Sequence, residues 1–286
     1  MFDISIVVVT FNSEEFIIPC LDSLFMREGL GLEVIVVDNG SRDNTLSLIR
    51  DKYPQTKVIV NEQNLGPCKA RNQGIEISSG KWVLVLDSDV VLDESFFQNI
   101  KRILTEIPLD VGMIQPKILN VDKTTIYSTG IFLSFLRRFH DVGQGQADSG
   151  KFNNAGYIFG ACSAAALYRR VMLQQLKEKT GYFDERFFFL VEDVDLAWRA
   201  RMLGWKAFFS PQATCFHKGN SSSTGKKLRQ YLCLRNRYYT IIKNEGFARY
   251  AIKILPLLCY DIPRFFYLVV TNPYLFLYAR PFRHRS

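Results

Sequence analysis

From Ile4 to Leu104 the sequence alternates between two periods, and this alternation constrains the fold more than any other feature. Ile4–Val9 (ISIVVV), Glu33–Val37 (EVIVV), Lys57–Val60 (KVIV) and Trp82–Leu86 (WVLVL) are short apolar runs rich in β-branched residues. Such runs suit strands buried on both faces. Between and after them lie stretches with helical spacing: Ser13–Met26, Asn44–Lys52, Pro67–Ile77 and Glu94–Leu104. The alternation predicts right-handed βαβ units, and so an α/β fold with a mostly parallel sheet flanked by helices. Val111–Leu119 reads as one more strand.

The beat is then lost. Gly, Gln, Asp and Asn concentrate from Asp141 to Asn154, which predicts a mobile loop, with room for a short hairpin. Order returns at Ile158–Tyr168 and in a helix near Arg170–Lys179. A helix over Glu192–Leu203 would carry Val194, Ala197, Trp198, Met202 and Trp205 on one stripe, with Gly204 as its stop. Ala207–Phe216 reads as two short apolar segments around Ser210-Pro211.

Charge divides the chain near residue 225. From Lys218 to Ser286 there are 13 Lys and Arg against two acids, a net of +11, while the rest is slightly acidic. Lys226–Lys243 predicts a basic, aromatic helix. Two apolar runs follow, Ile254–Tyr260 and Phe265–Ala279, separated by Asp261, Pro263 and Arg264. Neither reaches the ~20 residues of a membrane-spanning helix. They fit segments lying in an anionic membrane surface. The expected division is therefore residues 1–224 as one α/β domain and 225–286 as a helical, membrane-associating segment. The six cysteines form no CxxC pair and read as reduced thiols. With no basic leader before the first strand, the expected location is cytoplasmic, peripheral on the inner face of the cell membrane.

In an open parallel sheet, ligands bind beyond the carboxyl ends of the strands. Those ends carry Thr10-Phe11-Asn12, Asp38-Asn39-Gly40-Ser41 and Asp87-Ser88-Asp89. Each is also ordinary turn chemistry; their convergence on one edge is less ordinary. Neither GxGxxG nor GxxxxGK[ST] is present, so no glycine cradle is available for phosphate. A divalent cation with oxygen ligands would serve instead, and Asp87 and Asp89, alternate residues in an extended segment, can face one point. Glu192-Asp193-Val194-Asp195 opens a helix, where carboxylates suit the dipole. It also follows the aromatic stretch FDERFFFLV, and partial desolvation there would make a better general base. His217, one of three histidines, could complete a metal site or be structural.

Taken together, TFN, VVDNGS, NLGPCKARNQGI, LDSD, GYFDERFFFLVEDVDLAWRARMLGW and the later His217 resemble the motifs of family 2 glycosyltransferases across residues 3–240. The similarity extends to the rhamnosyltransferase-type members that build surface polysaccharides. It implies the GT-A fold and inverting transfer of a single sugar from a UDP- or dTDP-sugar, such as dTDP-rhamnose, to a hydroxyl of a glycan or lipid-linked glycan. It places Thr10 and Asp38 at the base and ribose, and Asn64, Gly66 and Arg71 at the nucleotide and phosphates. Asp87 would lie near the ribose or sugar. Asp89 and His217 would hold Mg²⁺ or Mn²⁺. Asp193 would be the base, Glu192 would stand beside it, and Gly160, Ala161 and Cys162 would line the donor or acceptor pocket. The processive members' QxxRW motif is missing, which implies single addition. A sugar nucleotidyltransferase lacks its glycine-rich loop here. A nucleic-acid-binding role would leave the acidic residues unused. A family member that binds without transferring sugar stays open.

Overall fold

A computed structural model describes residues 3–25, 31–219, 225–246 and 254–271. The first hundred residues follow the predicted alternation: β1 (Ile4–Thr10), α1 (Ile17–Phe25), β2 (Leu32–Asp38), α2 (Thr45–Lys52), β3 (Lys57–Val60), α3 (Pro67–Ile77), β4 (Trp82–Asp87), β5 (Val90–Leu92) and α4 (Phe96–Glu106). Then come β6 (Val111–Asn120), β7 (Ile126–Ser128), β8 (Ile131–Leu133), β9 (Phe139–Asp141), β10 (Gly156–Ile158), β11 (Ala165–Arg169) and α5 (Arg170–Thr180). A short 3₁₀ turn (Glu185–Phe187), α6 (Glu192–Met202), β12 (Lys206–His217), α7 (Lys226–Glu245) and α8 (Ile254–Thr271) complete the described elements.

The main sheet runs β10-β12-β6-β11-β4-β1-β2-β3. Strands β3, β2, β1 and β4 are all parallel. β11 then inserts antiparallel between β4 and β6. The chain reaches it from β6 through hairpins and turns, whereas a parallel neighbour would need a crossover such as a helix. β6 and β12 are again parallel. The period-two alternation of each strand feeds two separate cores. Ile4, Ile6 and Val8 of β1 face one way, packing with Leu21 of α1 and Ile49 of α2. Val7 faces the other way, with Ala70 of α3, Leu173 of α5 and Ala197 of α6. Both faces are thus covered by helices, as the continuous apolar strands required.

Four details differ from the sequence expectation. Val90–Leu92, which the periodicity assigns to no element, is a short strand paired with Cys215–His217. Ala207–Phe216 belongs to one twelve-residue strand, β12, which bulges between Ser210 and Thr214 and so absorbs Pro211. The predicted stripe on α6 is only part of the buried face: its Val194 and Ala197 are buried, but so are Leu196 and Ala200 outside it, while its Met202 is 63% exposed. That helix is enclosed by α5, α7 and β12, so burial spreads around it and takes in Asp195 and Arg199. Finally, the two apolar runs near the C-terminus are one helix as far as Thr271, continuing through Pro263. Asp261, which breaks the apolar pattern, faces inward and pairs with Arg237 of α7 at 3.1 Å. Residues 272–286, including the rest of the second run, lie outside the described residues. Among the described residues, no helix is long and apolar enough to cross a membrane. The glycine-rich segment after β9 is tied to the sheet by Lys117, whose ammonium donates to Asp148 and Asn153. The six cysteines are unpaired.

Candidate active site

The parallel register sets the first wall of the site. Thr10 aligns with Asp38, and Val9 with Asp87, so the three strand ends stop at one level. Thr10 and Asp38 are almost fully buried, and Thr10 Oγ1 and Asp38 Oδ1 lack a hydrogen-bond partner within the protein. Such buried acceptors are costly unless a ligand satisfies them. The other Asp38 oxygen accepts from the Ser41 N–H at 3.2 Å.

The neighbouring polar residues mainly brace the loops. The Asn12 N–H donates to Ser41 Oγ at 2.9 Å, and Asn12 Oδ1 accepts from the Arg42 N–H at 2.8 Å. Asn39 donates to Asn64 at 3.0 Å, and Asn64 accepts from the Gly66 N–H at 2.9 Å. Gly66 precedes α3 with φ +84°, and a Cβ there would meet the Phe188 ring at 2.7 Å. Glycine is therefore required twice over at this turn, for conformation and for space.

Asp87 ends β4, and Asp89 follows in the turn before β5. Pairing of β5 with β12 brings His217 alongside: its Nε2 lies 3.0 Å from Asp89 Oδ1. Ligand atoms of Asp87, Asp89 and His217 all fall within 4.8 Å of one another. His217 is buried, its Nδ1 has no partner, and the Tyr127 ring packs edge-on at 4.2 Å. Burial disfavours its protonation, yet Asp89, Asp87 and Asp141 together raise the imidazole's proton affinity above the ordinary value. The same field favours any cation. Two carboxylates and an imidazole form a donor set suited to a divalent transition ion or Mg²⁺.

The second wall is the start of α6. The Asp193 carboxylate accepts from the Val194 N–H at 2.8 Å and the Ser163 N–H at 3.3 Å. Burial, then the adjacent Glu192 and then Asp141, push its pKa up to about 7. Glu192 is itself buried and bonded to the Arg71 guanidinium at 2.5 Å. Arg71 also donates to Asp87 at 2.9 Å. Burial raises the Asp87 carboxyl, Arg71 pulls it back, and Asp89 raises it again; the net direction is up.

Between the walls lies a cleft of about 450 Å³. Of the residues proposed from sequence, Thr10, Phe11, Asn39, Asn64, Arg71, Asp87, Ser88 and Asp89 line it. So do Cys162, Glu192, Asp193 and His217. Asn12, Asp38, Ser41, Gly66, Gly160 and Ala161 are not among its lining residues. Arg71 is more committed than its placement at the phosphates implied, since two of its nitrogens already serve carboxylates. Gly160 is a packing residue, because a Cβ there would sit 2.3 Å from the Ala197 Cβ of α6.

Sequence reading missed several contributors. His140 and Asp141 of β9 line the cleft, as do Tyr127, Ser163 and Arg229. Asp141 Oδ1 has no partner, and burial raises this carboxyl's pKa against the opposing bonds from Ser128 and Cys162. His140-Asp141 carried a faint signal as a titratable pair, but no periodicity marked the strand that presents it.

Comparison with known proteins agrees with this geometry. The glycosyl transferase family 2 model matches residues 5–177. The poly-β-1,6-N-acetyl-D-glucosamine synthase of Staphylococcus epidermidis is 26% identical over 216 residues, 74% of this chain and 49% of that protein. Glycosyltransferase GlyG of Streptococcus pneumoniae is 26% identical over 163 residues, 54% of each chain. The chain thus spans about half the length of these curated relatives. Among solved structures, S. aureus TarS 1–349 in complex with UDP superimposes with a TM-score of 0.59 at 21% identity, covering 95% of this chain and 74% of that one. GalNAc-T7 with UDP, GalNAc and Mn²⁺ gives 0.59 at 15% identity, covering 87% and 51%. At these identities the two structures establish the GT-A architecture alone. The family match covers more than half the chain and the fold agrees with it, so this protein belongs to glycosyl transferase family 2.

Proposed function

We propose that the protein transfers one sugar from a nucleoside-diphosphate sugar to a hydroxyl of a glycan or lipid-linked glycan, inverting the anomeric centre. The observation that carries this is the facing arrangement of the Asp87, Asp89 and His217 cluster and the buried, proton-avid Asp193 across one cleft. Asp193 takes the proton of the acceptor hydroxyl as that oxygen bonds to the anomeric carbon. The bond from that carbon to the diphosphate breaks, and the nucleoside diphosphate departs. One base suffices for this single displacement. A divalent cation, Mg²⁺ or Mn²⁺, held by Asp87, Asp89 and His217 would supply charge neutralisation for the departing diphosphate. Thr10 and Asp38 offer acceptors for the imide N–H of uracil or thymine, which favours a UDP- or dTDP-sugar; dTDP-rhamnose fits the motif resemblance. Glu192 holds Arg71, and through it Asp87.

The charge and shape of the C-terminal region support a peripheral position on the cytoplasmic membrane face. Phe266, Tyr267 and Val270 of α8 are 62%, 67% and 77% exposed, in a region of net charge +11. Apolar side chains beside basic ones suit an anionic bilayer surface.

The test is a panel of UDP-, dTDP- and GDP-sugars with Mg²⁺ or Mn²⁺ and membrane-lipid acceptors, followed by nucleotide release. Asp193→Asn should lose turnover 10²–10⁴-fold and keep nucleotide binding. Asp89→Ala should lose metal-dependent binding. Full turnover in Asp193→Asn would overturn the base assignment. In a separate vesicle co-sedimentation measurement, Phe266→Ser with Val270→Ser should weaken binding to phosphatidylglycerol vesicles, and unchanged binding would exclude α8 as the contact.

A further inference from the structure

The loop before Asp193 has an unusual backbone. Phe188, Leu190 and Val191 have φ of 63°, 70° and 72°, a region that non-glycine residues seldom occupy and that a β-branched valine occupies least. Such residues persist only where the surrounding structure over-determines them. Their side chains, with Phe189, line the cleft. Val191 is also the residue from which α6 starts, two positions before Asp193.

What faces the carbonyls of this loop is α7. Asn236, fully buried, directs its amide nitrogen at three of them: Phe187 O at 3.1 Å, Phe189 O at 2.8 Å and Leu190 O at 2.7 Å. A primary amide has two hydrogens, so one of the three bonds is shared. The amide cannot flip, because its oxygen accepts from Arg235 Nε at 2.8 Å. Arg235 in turn donates to Arg186 O and Phe187 O, at 3.1 and 2.8 Å. Two adjacent residues thus satisfy four carbonyls of a loop that has few bonds of its own. Further along α7, Lys243 bridges Asp184 and Asp195, at 2.7 and 2.8 Å, on either side of the loop.

We infer that Arg235-Asn236 is the positioning element of the active site, holding the 186–191 loop so that Glu192 and Asp193 meet the cleft. The inference rests on the reading of Asp193 as base, and it assigns α7 to the catalytic unit rather than to a separable membrane segment. Asn236 touches no substrate; it acts through the backbone it holds.

The experiment uses the full chain. Asn236→Ala strips Phe189 O and Leu190 O of their side-chain donor and leaves Phe187 O with Arg235, and two readouts are taken. Hydrogen exchange of amides 186–195 should accelerate at least tenfold. Turnover per folded molecule should fall about 10²-fold, the scale of a 1 Å misplacement, with donor KM nearly unchanged. A merely structural role would lower the folded fraction and leave kcat per folded molecule intact. Unchanged exchange overturns the anchor. Faster exchange with kcat within threefold of the parent overturns its link to catalysis. Arg235→Leu, which removes bonds at the rim of α7, serves if the first variant does not fold, and should shift both readouts the same way by a smaller factor. Asp193→Asn is run alongside: if it retains turnover, the base reading fails, while the exchange result still decides the anchor.

Discussion

The sheet edge bearing Thr10, Asp38 and Asp87 is fixed by backbone ladders, whereas the wall bearing Glu192 and Asp193 is fixed by side chains reaching in from α7. On the first side, every residue from Ile4 to Thr10 is paired in parallel register with β2, and Ile4–Val9 also with β4. Moving one strand end means breaking a ladder. On the second side, the loop depends on Arg235, Asn236 and Lys243, which lie 46–59 residues away in sequence from the loop residues they bond. A ladder distributes its load over many bonds of about 1 kcal/mol each, while an anchor concentrates it in a few. The difference teaches where the site can be tuned: the first wall resists single changes and the second yields to them.

Arg71 joins the two walls, so its loss should have the largest effect on stability. It is 3% exposed and pairs with Asp87 on one wall and Glu192 on the other. Arg71→Met would leave two carboxylates facing each other across a desolvated gap. Removing one partner of a buried pair costs about 3–5 kcal/mol, and the partial exposure of Asp87 favours the lower end. Urea denaturation checks this, and a loss under about 1 kcal/mol would mean that the walls are not coupled through Arg71. A smaller effect is expected at Gly160, where the second wall meets the sheet. Gly160→Ala would drive a Cβ into that of Ala197, and neither atom can rotate away. Overpacking of this kind costs about 1–3 kcal/mol. Ala197→Gly in the same chain should recover most of the loss. If it does not, the contact is not what separates loop from helix.

The contrast between the walls also explains what could be read from the sequence. β1, β2 and β4 were legible because a buried parallel strand imposes a continuous β-branched run, and the polar residues that end each run necessarily share an edge. Asp87, Asp89 and Asp38 followed from that alone. Asn236 left no comparable trace. Its neighbours Arg235, Arg237 and Tyr238 made the segment read as a basic, aromatic helix, because local pattern does not distinguish a donor facing solvent from one facing three carbonyls. Asp141 was hidden for a related reason: a three-residue strand is too short for its alternation to register. Arg71 was found but given a simpler task than it has, since its partner Glu192 lies 121 residues away. Asp261 misled in the opposite direction. A charge within an apolar run suggests a break, yet it is the inward face of an unbroken helix.

The smallest effect per unit, and the sharpest, concerns pH. On the second wall the Asp193 carboxyl is pushed to about 7, first by burial and then by Glu192 and Asp141, from an ordinary value near 3.8. A base works only when deprotonated, so kcat/KM should climb tenfold per pH unit below about 7 and level off above it. The sign for stability is the reverse. The folded state binds this proton more tightly than the unfolded chain, so the group favours folding fully below about pH 4, and that contribution is lost as pH rises through 7. The slope is at most about 1.4 kcal/mol per pH unit for the one proton. Activity and stability should therefore move in opposite directions between pH 4 and 7. Glu192→Gln removes the adjacent charge and should shift the activity limb to lower pH while leaving its shape. An activity limb already at pH 4–5 in the parent would show Asp193 to be as well solvated as a surface carboxylate, and the second wall would then lose its claim to be the desolvated one.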